Sequence, residues 1–411
     1  MQRDFSPAIN PRSNLNRVGQ GRHFLQIPGP SNVPDRILRA IDFPTIGHRG
    51  PEFQALALKL LEGIRPLFGT KGPVVIYPAS GTAAWEAALV NTMNVGDHIL
   101  MFEAGHFAGL WMKMASRLGL KPEVIKGDWG LGVQADLIEA RLKADSTHQI
   151  KAVCVVHNET STGVTSDIAA VRRAMDAAGH PALLLVDTIS ALGSVEFKHD
   201  EWGVDVSIAS SQKGLMMPPG LGFNAVSEKA LAASQRANMP RAFWAWDDIL
   251  EANKNGFWPS TPNTNLLYGL GEAIDMFNEE GLPQVFARHK RHAQAARSAA
   301  AAWGLELVCQ APALYSPVLT AVRMPLREDG SSFDADHLRE VALRACNMSL
   351  GMGLGQLSGK VFRIGHLGDF NDLSLVGALG GVEMALRAAA VPHRPGGTQA
   401  ALDSLRHSLA S

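Results

Sequence analysis

The sequence contains little of what marks several classes of protein. Only three cysteines occur in 411 residues, so a scaffold held together by disulfides is excluded. Charges of the two signs nearly cancel, with 38 basic and 39 acidic side chains, which leaves no basic field to attract nucleic acid or an anionic membrane. No apolar run approaches the ~20 residues that a membrane-spanning helix needs. A hydrophobic content of 46% and a charged content of 19% are typical of a compact protein with a large core.

The same features predict a cytoplasmic protein. Cys154, Cys309 and Cys346 stand mostly in apolar surroundings, as expected for reduced, buried thiols. Residues 1–24 are polar and lack the apolar segment of a secretion signal, so we expect them to form an extended arm. His289 and His292 are three apart on a basic helix, where a solvated face is expected. We therefore expect no metal ion, no nucleic acid and no membrane as partners.

Strand-like and helical patterns alternate between residues 74 and 226. The apolar runs are continuous, as expected for strands that are covered on both faces. Alternation of this kind predicts an α/β fold with an open, mostly parallel sheet, whose ligand lies beyond the carboxyl ends of the strands. The predicted strands are Val74–Tyr77, Ile99–Phe102, Glu123–Ile125, Ala152–Val156, Leu183–Val186, Val206–Ala209 and Leu221–Val226.

The pattern changes in the second half of the chain. Residues 241–264 are rich in aromatic residues, Asn and Pro and predict an irregular crossing segment. A long helical stretch follows, and then a mixture of strands and helices that predicts a smaller α+β domain. We thus expect a large domain over residues 25–265, a linking helical segment over 266–302 and a smaller domain over 303–411.

An acid and a lysine follow two neighbouring strands of the predicted sheet. Asp187 ends the strand at Leu183–Val186, and Lys213 follows the strand at Val206–Ala209. Either residue alone would also fit an ordinary polar loop. Together they match the needs of pyridoxal phosphate, because the lysine can attach the cofactor as a Schiff base and the acid can keep the pyridine nitrogen protonated. The sequence therefore predicts pyridoxal phosphate as the cofactor.

Two further segments stand at strand ends of the same sheet. Ser80, Gly81 and Thr82 open a helix directly after the first strand, which predicts a phosphate cradle of backbone N–H groups and hydroxyls, or a simple helix cap. His157–Gly163 closes another strand with an amide and small hydroxyls. This segment fits either the phenolic oxygen side of a pyridine ring or a polar turn.

A single arginine interrupts an apolar strand in the second half of the chain. Arg363 lies in the run Val361–Gly365, and a charge inside such a strand needs a partner. A substrate α-carboxylate would be bound bidentately by its guanidinium group; a structural ion pair is the alternative. The glycines at 351, 353 and 355 follow a predicted helix and favour a mobile loop over a dinucleotide-binding fingerprint.

These residues resemble the class V, fold-type I aminotransferases, and within them the serine–glyoxylate and alanine–glyoxylate group. The resemblance runs from Pro28 to about Arg387. It rests on six motifs, which are PGPSNVP, Ser80-Gly81-Thr82, HNETSTGV, Val186-Asp187, Ser211-Gln212-Lys213-Gly214 and RIGHLG. It implies a homodimer with shared active sites and transfer of an amino group from a small L-amino acid, serine first, to glyoxylate.

The resemblance also implies roles for individual residues. Lys213 would hold the cofactor, and Asp187 would pair with its ring nitrogen. The residues implied to bind phosphate are Ser80, Gly81, Thr82 and Gln212, with Trp258 and Thr261 reaching it from the neighbouring subunit. Those near the ring are Thr160, Ile189 and an aromatic residue, either Phe107 or His106. Gly29 and Arg363 would bind substrate.

Three alternatives stay open at this point. Arg49, beside His48, either projects from the partner subunit to pair with a β-carboxylate, which favours aspartate as donor, or braces the interface. Alanine is a further possible donor. A lyase such as a cysteine desulfurase needs an exposed nucleophilic cysteine, for which Cys346 is the candidate.

Overall fold

The structure is a computed structural model, and it describes residues 21–409. The arm predicted for residues 1–24 lies almost wholly outside the described residues. The described part starts at Gly21, and its first strand starts at Phe24.

Strands in the described residues form three sheets, of seven, four and two strands. Their bounds are β1 (Phe24–Gln26), β2 (Val74–Tyr77), β3 (His98–Glu103), β4 (Lys121–Lys126), β5 (Ile150–Val156), β6 (Asn158–Glu159), β7 (Val164–Thr165), β8 (Leu183–Asp187), β9 (Val206–Ser210), β10 (Gly222–Val226), β11 (Leu319–Arg323), β12 (Met348–Met352) and β13 (Val361–Gly365).

The α-helices surround these sheets. Their bounds are α1 (Asp35–Ile41), α2 (Pro51–Gly63), α3 (Arg65–Phe68), α4 (Gly81–Thr92), α5 (His106–Arg117), α6 (Ala135–Ala144), α7 (Ile168–Ala177), α8 (Glu228–Ser234), α9 (Trp246–Asn253), α10 (Thr264–Glu280), α11 (Leu282–Trp303), α12 (Ala335–Cys346), α13 (Asp372–Ala388) and α14 (Gly397–Leu409). Short 3-10 turns occur at Pro312–Leu314 and Gly355–Leu357. Within the described range, no helix is both long and apolar enough to cross a membrane.

The seven-stranded sheet has the order β2-β10-β9-β8-β5-β3-β4. Only β10 runs antiparallel to its neighbours, β2 and β9, while β9, β8, β5, β3 and β4 pair in parallel. All strands except β10 therefore end at the same edge, where polar segments follow β2, β5, β8 and β9. This α/β architecture confirms the predicted fold class.

Burial on both faces explains the continuous apolar strands. In β8, Leu183 and Leu185 belong to the core on one face of the sheet, and Leu184 and Val186 to the core on the other. Helices α6 and α7 cover the second face with Ile138, Val171 and other apolar side chains. Because neither face meets solvent, the strand has no polar residue before Asp187 at its end.

The smaller sheet has the order β1-β12-β13-β11. Its core is formed with α11, α12, α13 and α14 by residues such as Trp303, Phe362 and Leu379. Strand β1 joins this sheet by pairing in parallel with β12, with Phe24 opposite Met348. The chain thus starts in the smaller sheet and crosses to the larger layer after Ile27; the predicted boundary at residue 25 falls within β1.

Four expectations about elements were wrong. The segment 241–264 contains the regular helix α9, with Trp246 wholly buried on it. The long helical stretch is two helices, α10 and α11, which are separated at Gly281 by its positive φ of 82°. The apolar run Leu305–Val308, which predicts a strand of the smaller domain, forms only an isolated bridge, from Leu307 to Val322. Gly351 lies in a strand directly opposite Arg363, not in a mobile loop.

Candidate active site

Lys213 lies in the turn that follows β9, enclosed by the loop between β1 and α1. Its Nζ donates a hydrogen bond to the carbonyl oxygen of Pro28, and the hydroxyl of Ser31 donates to the carbonyl of Lys213 at 2.7 Å. Burial, with the nearby charge of Arg363, lowers the pKa of Lys213 to about 8, against the opposing charges of Asp187 and Glu159. The amine is therefore partly unprotonated near neutral pH, as a nucleophile and proton acceptor needs to be.

Asp187 ends β8 and is 5% exposed. Its Oδ1 accepts from the backbone N–H of Ile189 at 2.8 Å, and its Oδ2 accepts from Nε1 of Trp85 at 3.0 Å. Burial raises the pKa of Asp187 to about 7, and the charge of Glu159 adds to this, while the two hydrogen bonds and Lys213 oppose it. A buried carboxylate in this state fits a cation as its partner, such as a protonated ring nitrogen.

The start of α4 forms one end of the site. Ser80 is the N-cap residue, but its side chain makes no capping hydrogen bond. A Cβ at Gly81 would lie 2.5 Å from Cδ1 of Ile189, so only glycine allows this approach. Nearby, Oγ of Ser210 and Oε1 of Gln212 are buried and have no hydrogen-bond partner in the described structure. Unpaired polar atoms beside free helix N–H groups fit a phosphate.

These groups surround one cavity of about 270 Å³. Nine residues predicted for the site line it, namely Gly29, Gly81, Thr82, Phe107, Thr160, Asp187, Ile189, Gln212 and Lys213. Ser80 caps the helix beside it. Of the two aromatic candidates, Phe107 lines the cavity, whereas His106 lies beyond it, where Nδ1 would be 3.2 Å from a Cβ on Gly355. The stacking role of Phe107 stays a prediction.

Arg363 stands behind the wall formed by Thr160. It is 7% exposed, and its Nη1 donates to the carbonyl of Thr160 at 2.8 Å while Nε donates to the carbonyl of Met352 at 2.7 Å. Burial lowers the pKa of Arg363 to about 10, although the charge of Glu159 opposes this. No carboxylate is hydrogen-bonded to the guanidinium group in the described residues, so the structural ion pair considered from the sequence is not formed.

Three predicted residues are not brought to the cavity within this chain. Trp258 is buried against Phe53, and its Nε1 donates to the carbonyl of Ile76 at 2.9 Å. Thr261 and Arg49 are exposed on the surface. Their predicted roles require the partner subunit and stay predictions.

Four lining residues were not predicted, namely Trp85, Val156, Ser190 and Ser210; a fifth, Asn158, is the amide of the segment His157–Gly163 that the sequence singled out. Trp85 had a usable signal, because it lies one helical turn after Gly81 and so faces the same edge. Asn158 and Ser190 bond to each other, with Nδ2 of Asn158 donating to Oγ of Ser190 at 2.8 Å. That pairing joins two distant loops and has no local signal in the sequence.

Other expectations about chemistry were wrong. His289 and His292 are wholly buried rather than solvated; Nδ1 of His289 donates to the carbonyl of Val285 at 2.7 Å, and its Nε2 accepts from the N–H of Gly368 at 3.1 Å. Cys346 ends α12, directs Sγ to the carbonyl of Gly381 at 3.6 Å and is not among the residues that line the cavity. The residues present therefore do not support a cysteine-dependent lyase.

An amine and a carboxylate at adjacent strand ends, with an unsatisfied helix start beside them, fit pyridoxal phosphate in every part. Bound there, that cofactor supplies an electron sink that makes the α-proton of an amino acid acidic. The fold and the site thus define a pyridoxal-phosphate-dependent enzyme of fold-type I.

The family follows from sequence comparison. Aminotransferase class-V matches residues 25–323, and the chain belongs to this family. It is a pyridoxal-phosphate-dependent aminotransferase, which confirms the predicted family, cofactor and type of enzyme.

Similar proteins agree with this assignment. The chain is 47% identical over 390 residues to a serine–glyoxylate aminotransferase of Methylorubrum extorquens, covering 93% of this chain and 96% of that protein. It is 43% identical to an L-aspartate–glyoxylate aminotransferase of Paracoccus denitrificans, covering 94% and 96%. The crystal structure of an alanine–glyoxylate aminotransferase from Nostoc superposes with a TM-score of 0.83 at 30% identity, covering 93% of this chain and 100% of that one.

Proposed function

We propose that this enzyme transfers the amino group of a small L-amino acid, L-serine first, to glyoxylate, which yields glycine and the 2-oxo acid of the donor. One observation carries the choice of a small, monocarboxylic donor. The cavity of about 270 Å³ has Lys213 as its only cationic lining residue among those described, with Arg363 as the single further guanidinium group behind Thr160. The cofactor has to occupy much of this cavity as well, so the space left beside it suits a small donor.

Both substrates carry an α-carboxylate, for which Arg363 is the proposed partner. Two of its nitrogens are fixed by the carbonyls of Thr160 and Met352, so the planar group has one orientation. Pre-orientation of this kind reduces the entropy lost when a small acid such as glyoxylate binds.

Lys213 is the group that moves the proton. With a pKa of about 8, its Nζ would accept the proton from the α-carbon of the donor and, in the second half of the reaction, return a proton to the α-carbon of the product. The carbonyl oxygen of Pro28 accepts a hydrogen bond from Nζ in this structure. It provides a position for the amine whenever Lys213 is not bound to the cofactor. General acid–base catalysis by such a group contributes about 10²–10⁴-fold.

Aspartate is the second candidate donor. The relative from Paracoccus denitrificans is named for aspartate, and Arg49 is exposed at a position from which a partner subunit could use it. A β-carboxylate would need that second cation, because the described chain presents none to the cavity.

The test is kcat/KM for L-serine and L-aspartate with glyoxylate, in the wild type and in Arg49→Ala. We expect serine to be preferred and the variant to change the serine value little. A selective loss of aspartate activity in the variant, together with an aspartate preference in the wild type, would make aspartate the donor. Negligible rates with both donors would contradict the proposal.

We infer further that the enzyme is a homodimer with shared active sites and that it is cytoplasmic. Phe43 and Phe243 are 54% and 50% exposed, and large apolar side chains on a surface favour burial against a partner. Trp258 and Thr261 would then serve the neighbouring site. All three cysteines are free, which supports a reducing compartment.

A further inference from the structure

A buried carboxylate beside the cavity has no part in the function proposed above. Glu159 directly follows the loop after β5 and is 1% exposed. Its Oε2 accepts from the backbone N–H groups of Phe107 and Ala108, at 3.1 and 3.3 Å. Its Oε1 accepts from the N–H and the hydroxyl of Ser161, at 3.0 and 2.7 Å.

All four contacts of this side chain are donors. A carboxamide would place an N–H donor against at least one backbone N–H, and a protonated carboxyl group can donate only to the Ser161 hydroxyl, which would then have to change from donor to acceptor. The first N–H groups of α5 also carry partial positive charge, which favours an anion there. Burial raises the pKa of Glu159, but the hydrogen bonds from Ser161 and from the N–H groups of Ala108 and Phe107 oppose that rise. The three backbone N–H groups and the hydroxyl therefore favour the ionised form.

The backbone of Glu159 holds the opposite wall of the cavity. Its carbonyl accepts from the N–H groups of Gly163 and Thr162, at 3.0 and 3.3 Å, which closes the turn 159–163. Thr160 stands in this turn, lines the cavity and binds Arg363 through its carbonyl. Glu159 therefore binds both elements, the turn 159–163 through its backbone carbonyl and the start of α5 through its side chain.

The sequence makes room for this contact at Gly105. A Cβ at that position would lie 2.5 Å from Cδ of Glu159 and 2.6 Å from Oγ of Ser161. Any other residue would push the carboxylate away from the start of α5.

We propose that Glu159 is a positioning residue, which as a carboxylate ties the start of α5 to the turn 159–163 and so fixes Phe107 and Thr160 on two walls of the cofactor cavity. It acts through those two residues. The proposal rests on the proposed function only in placing the substrate-binding Arg363 next to Thr160, and it does not depend on which amino acid is the donor.

The charge of Glu159 gives the proposal a spectroscopic readout. Burial and the charge of Arg363 lower the pKa of Lys213, and the charges of Asp187 and Glu159 partly restore it. Removal of the Glu159 charge therefore makes a protonated nitrogen at Lys213 less stable, and protonation should then occur at lower pH.

The experiment compares Glu159→Gln with the wild-type holoenzyme. The visible absorbance of the bound cofactor is titrated with pH, and the dissociation constant of the cofactor is measured without any amino acid. We expect the titration midpoint to fall by on the order of one pH unit and the dissociation constant to rise at least about ten-fold, because hydrogen bonds to a charged group are lost. Glu159→Asp keeps the charge but shortens the reach, so its midpoint should stay near the wild-type value while its dissociation constant rises.

Asp145→Asn is the matched control. Asp145 is also a buried carboxylate, 6% exposed, whose Oδ2 accepts from the N–H of Ile150 at 2.7 Å, but it lies at the other edge of the sheet. Unchanged values in Glu159→Gln, or the same changes in the control, would overturn the proposal. If Glu159→Gln does not fold, Ser161→Ala decides: it removes one donor and should weaken cofactor binding several-fold, and wild-type binding in that variant would overturn the proposal. Absence of serine or aspartate activity would leave these readouts untouched and would bear only on the proposed function.

Discussion

Asp187 is a buried carboxyl group that needs a cationic partner to stay ionised. Its pKa of about 7 lies well above the ordinary value of 3.8. Between these two pH values the folded, cofactor-free protein keeps the proton while the unfolded chain loses it, so the stability of the folded state falls as pH rises from about 4 to 7.

Asp187→Asn should remove this dependence, because a carboxamide does not ionise. We expect the variant without cofactor to be more stable than the wild type at pH 7.5, by on the order of 1–4 kcal/mol, and nearly equal to it at pH 4.5. Urea denaturation of both proteins across this range measures the difference. The same variant should bind the cofactor more weakly at pH 7.5. Parallel stability curves for the two proteins would show that Asp187 is not protonated in the folded state.

Arg363 should bind the carboxylate that donor and acceptor share. Arg363→Lys is expected to raise KM for the amino donor and for glyoxylate alike, by about 10- to 150-fold, because lysine cannot form the paired hydrogen bonds of a guanidinium group. Steady-state kinetics with each substrate varied in turn measure this. Arg141→Lys, at an ion pair with Glu123 on the distant strand β4, is the control and should leave both KM values unchanged. An effect on one substrate alone would mean that Arg363 does not contact the shared carboxylate.

At the scale of residues, the sequence predicted the site residues that directly follow strands, and it missed residues that packing brings to the cavity from other elements. Lys213 and Asp187 were found because parallel strands end at one edge, which brings together residues that are distant in sequence. Ser190 depends on how the turn after β8 is oriented against that edge. That orientation is set by packing, which no local pattern reports. The sequence likewise did not predict that Glu159 binds the start of α5 with its side chain and the turn 159–163 with its backbone carbonyl.

At the scale of elements, the important feature of α4 is the position of its first turn beside the cavity. The close approach of Gly81 to Ile189 brings the first N–H groups of the helix to the cavity. Helix α5 begins at the same edge, with its first turn bound to Glu159. The N–H groups at the start of α5 are thus paired with Glu159, whereas those at the start of α4 are left for an anionic ligand in the cavity.

Gly81→Ala should therefore weaken cofactor binding by at least about ten-fold, since the added methyl group would displace Ile189 or the helix start from its contacts. Fluorescence or absorbance titration of the cofactor-free variant measures the dissociation constant. Gly380→Ala is the control in the middle of α13, where a Cβ has no atom closer than 3.9 Å. It should leave cofactor binding unchanged and stabilise the fold by about 0.5–1 kcal/mol. Equal cofactor binding by Gly81→Ala and the wild type would remove α4 from the phosphate site.

The helices and strands of the larger layer were predicted closely because hydrophobic periodicity reports burial on both faces of a sheet. β2 has the predicted bounds, β13 matches the run around Arg363, and the other six strands predicted for the larger sheet differ by one or two residues at an end. β6, β7 and β12 were not predicted. By contrast, β1 is three residues long, too short for a period to be recognised. Helix α9 was missed because its apolar residues lie among aromatic, Asn and Pro residues that are typical of loops.

At the scale of the whole molecule, shared active sites predict a specific behaviour of mixed subunits. Lys213→Ala lacks the amine, and Thr261→Asp places a negative charge where the neighbouring phosphate is expected, which repels it. Each variant alone should be nearly inactive. Light scattering should find dimers for the wild type and for both variants.

When the two variants are unfolded together and refolded, hybrid dimers should contain one site with both residues intact. Activity should then return to about a quarter of the wild-type value, since about half of the dimers are hybrids with one working site each. In the control, Lys229→Ala takes the place of Lys213→Ala and should be active without mixing. Lys229 is an exposed lysine whose Nζ donates to the carbonyl of Ala182 at 2.8 Å. An active wild-type monomer, or no recovery in the mixture, would contradict the shared sites.

The pairing of β1 with β12 also has a consequence for the order in which the protein folds. Phe24 emerges early during synthesis, but its partner Met348 follows more than 300 residues later. The loop that begins after β1 provides Pro28 and Gly29, which enclose the amine of Lys213. Because contacts between such distant segments form slowly and only after both exist, this wall of the pocket is completed last. The nascent chain therefore builds its larger sheet first and acquires a closed active site only after the strand that begins at Met348 has been made.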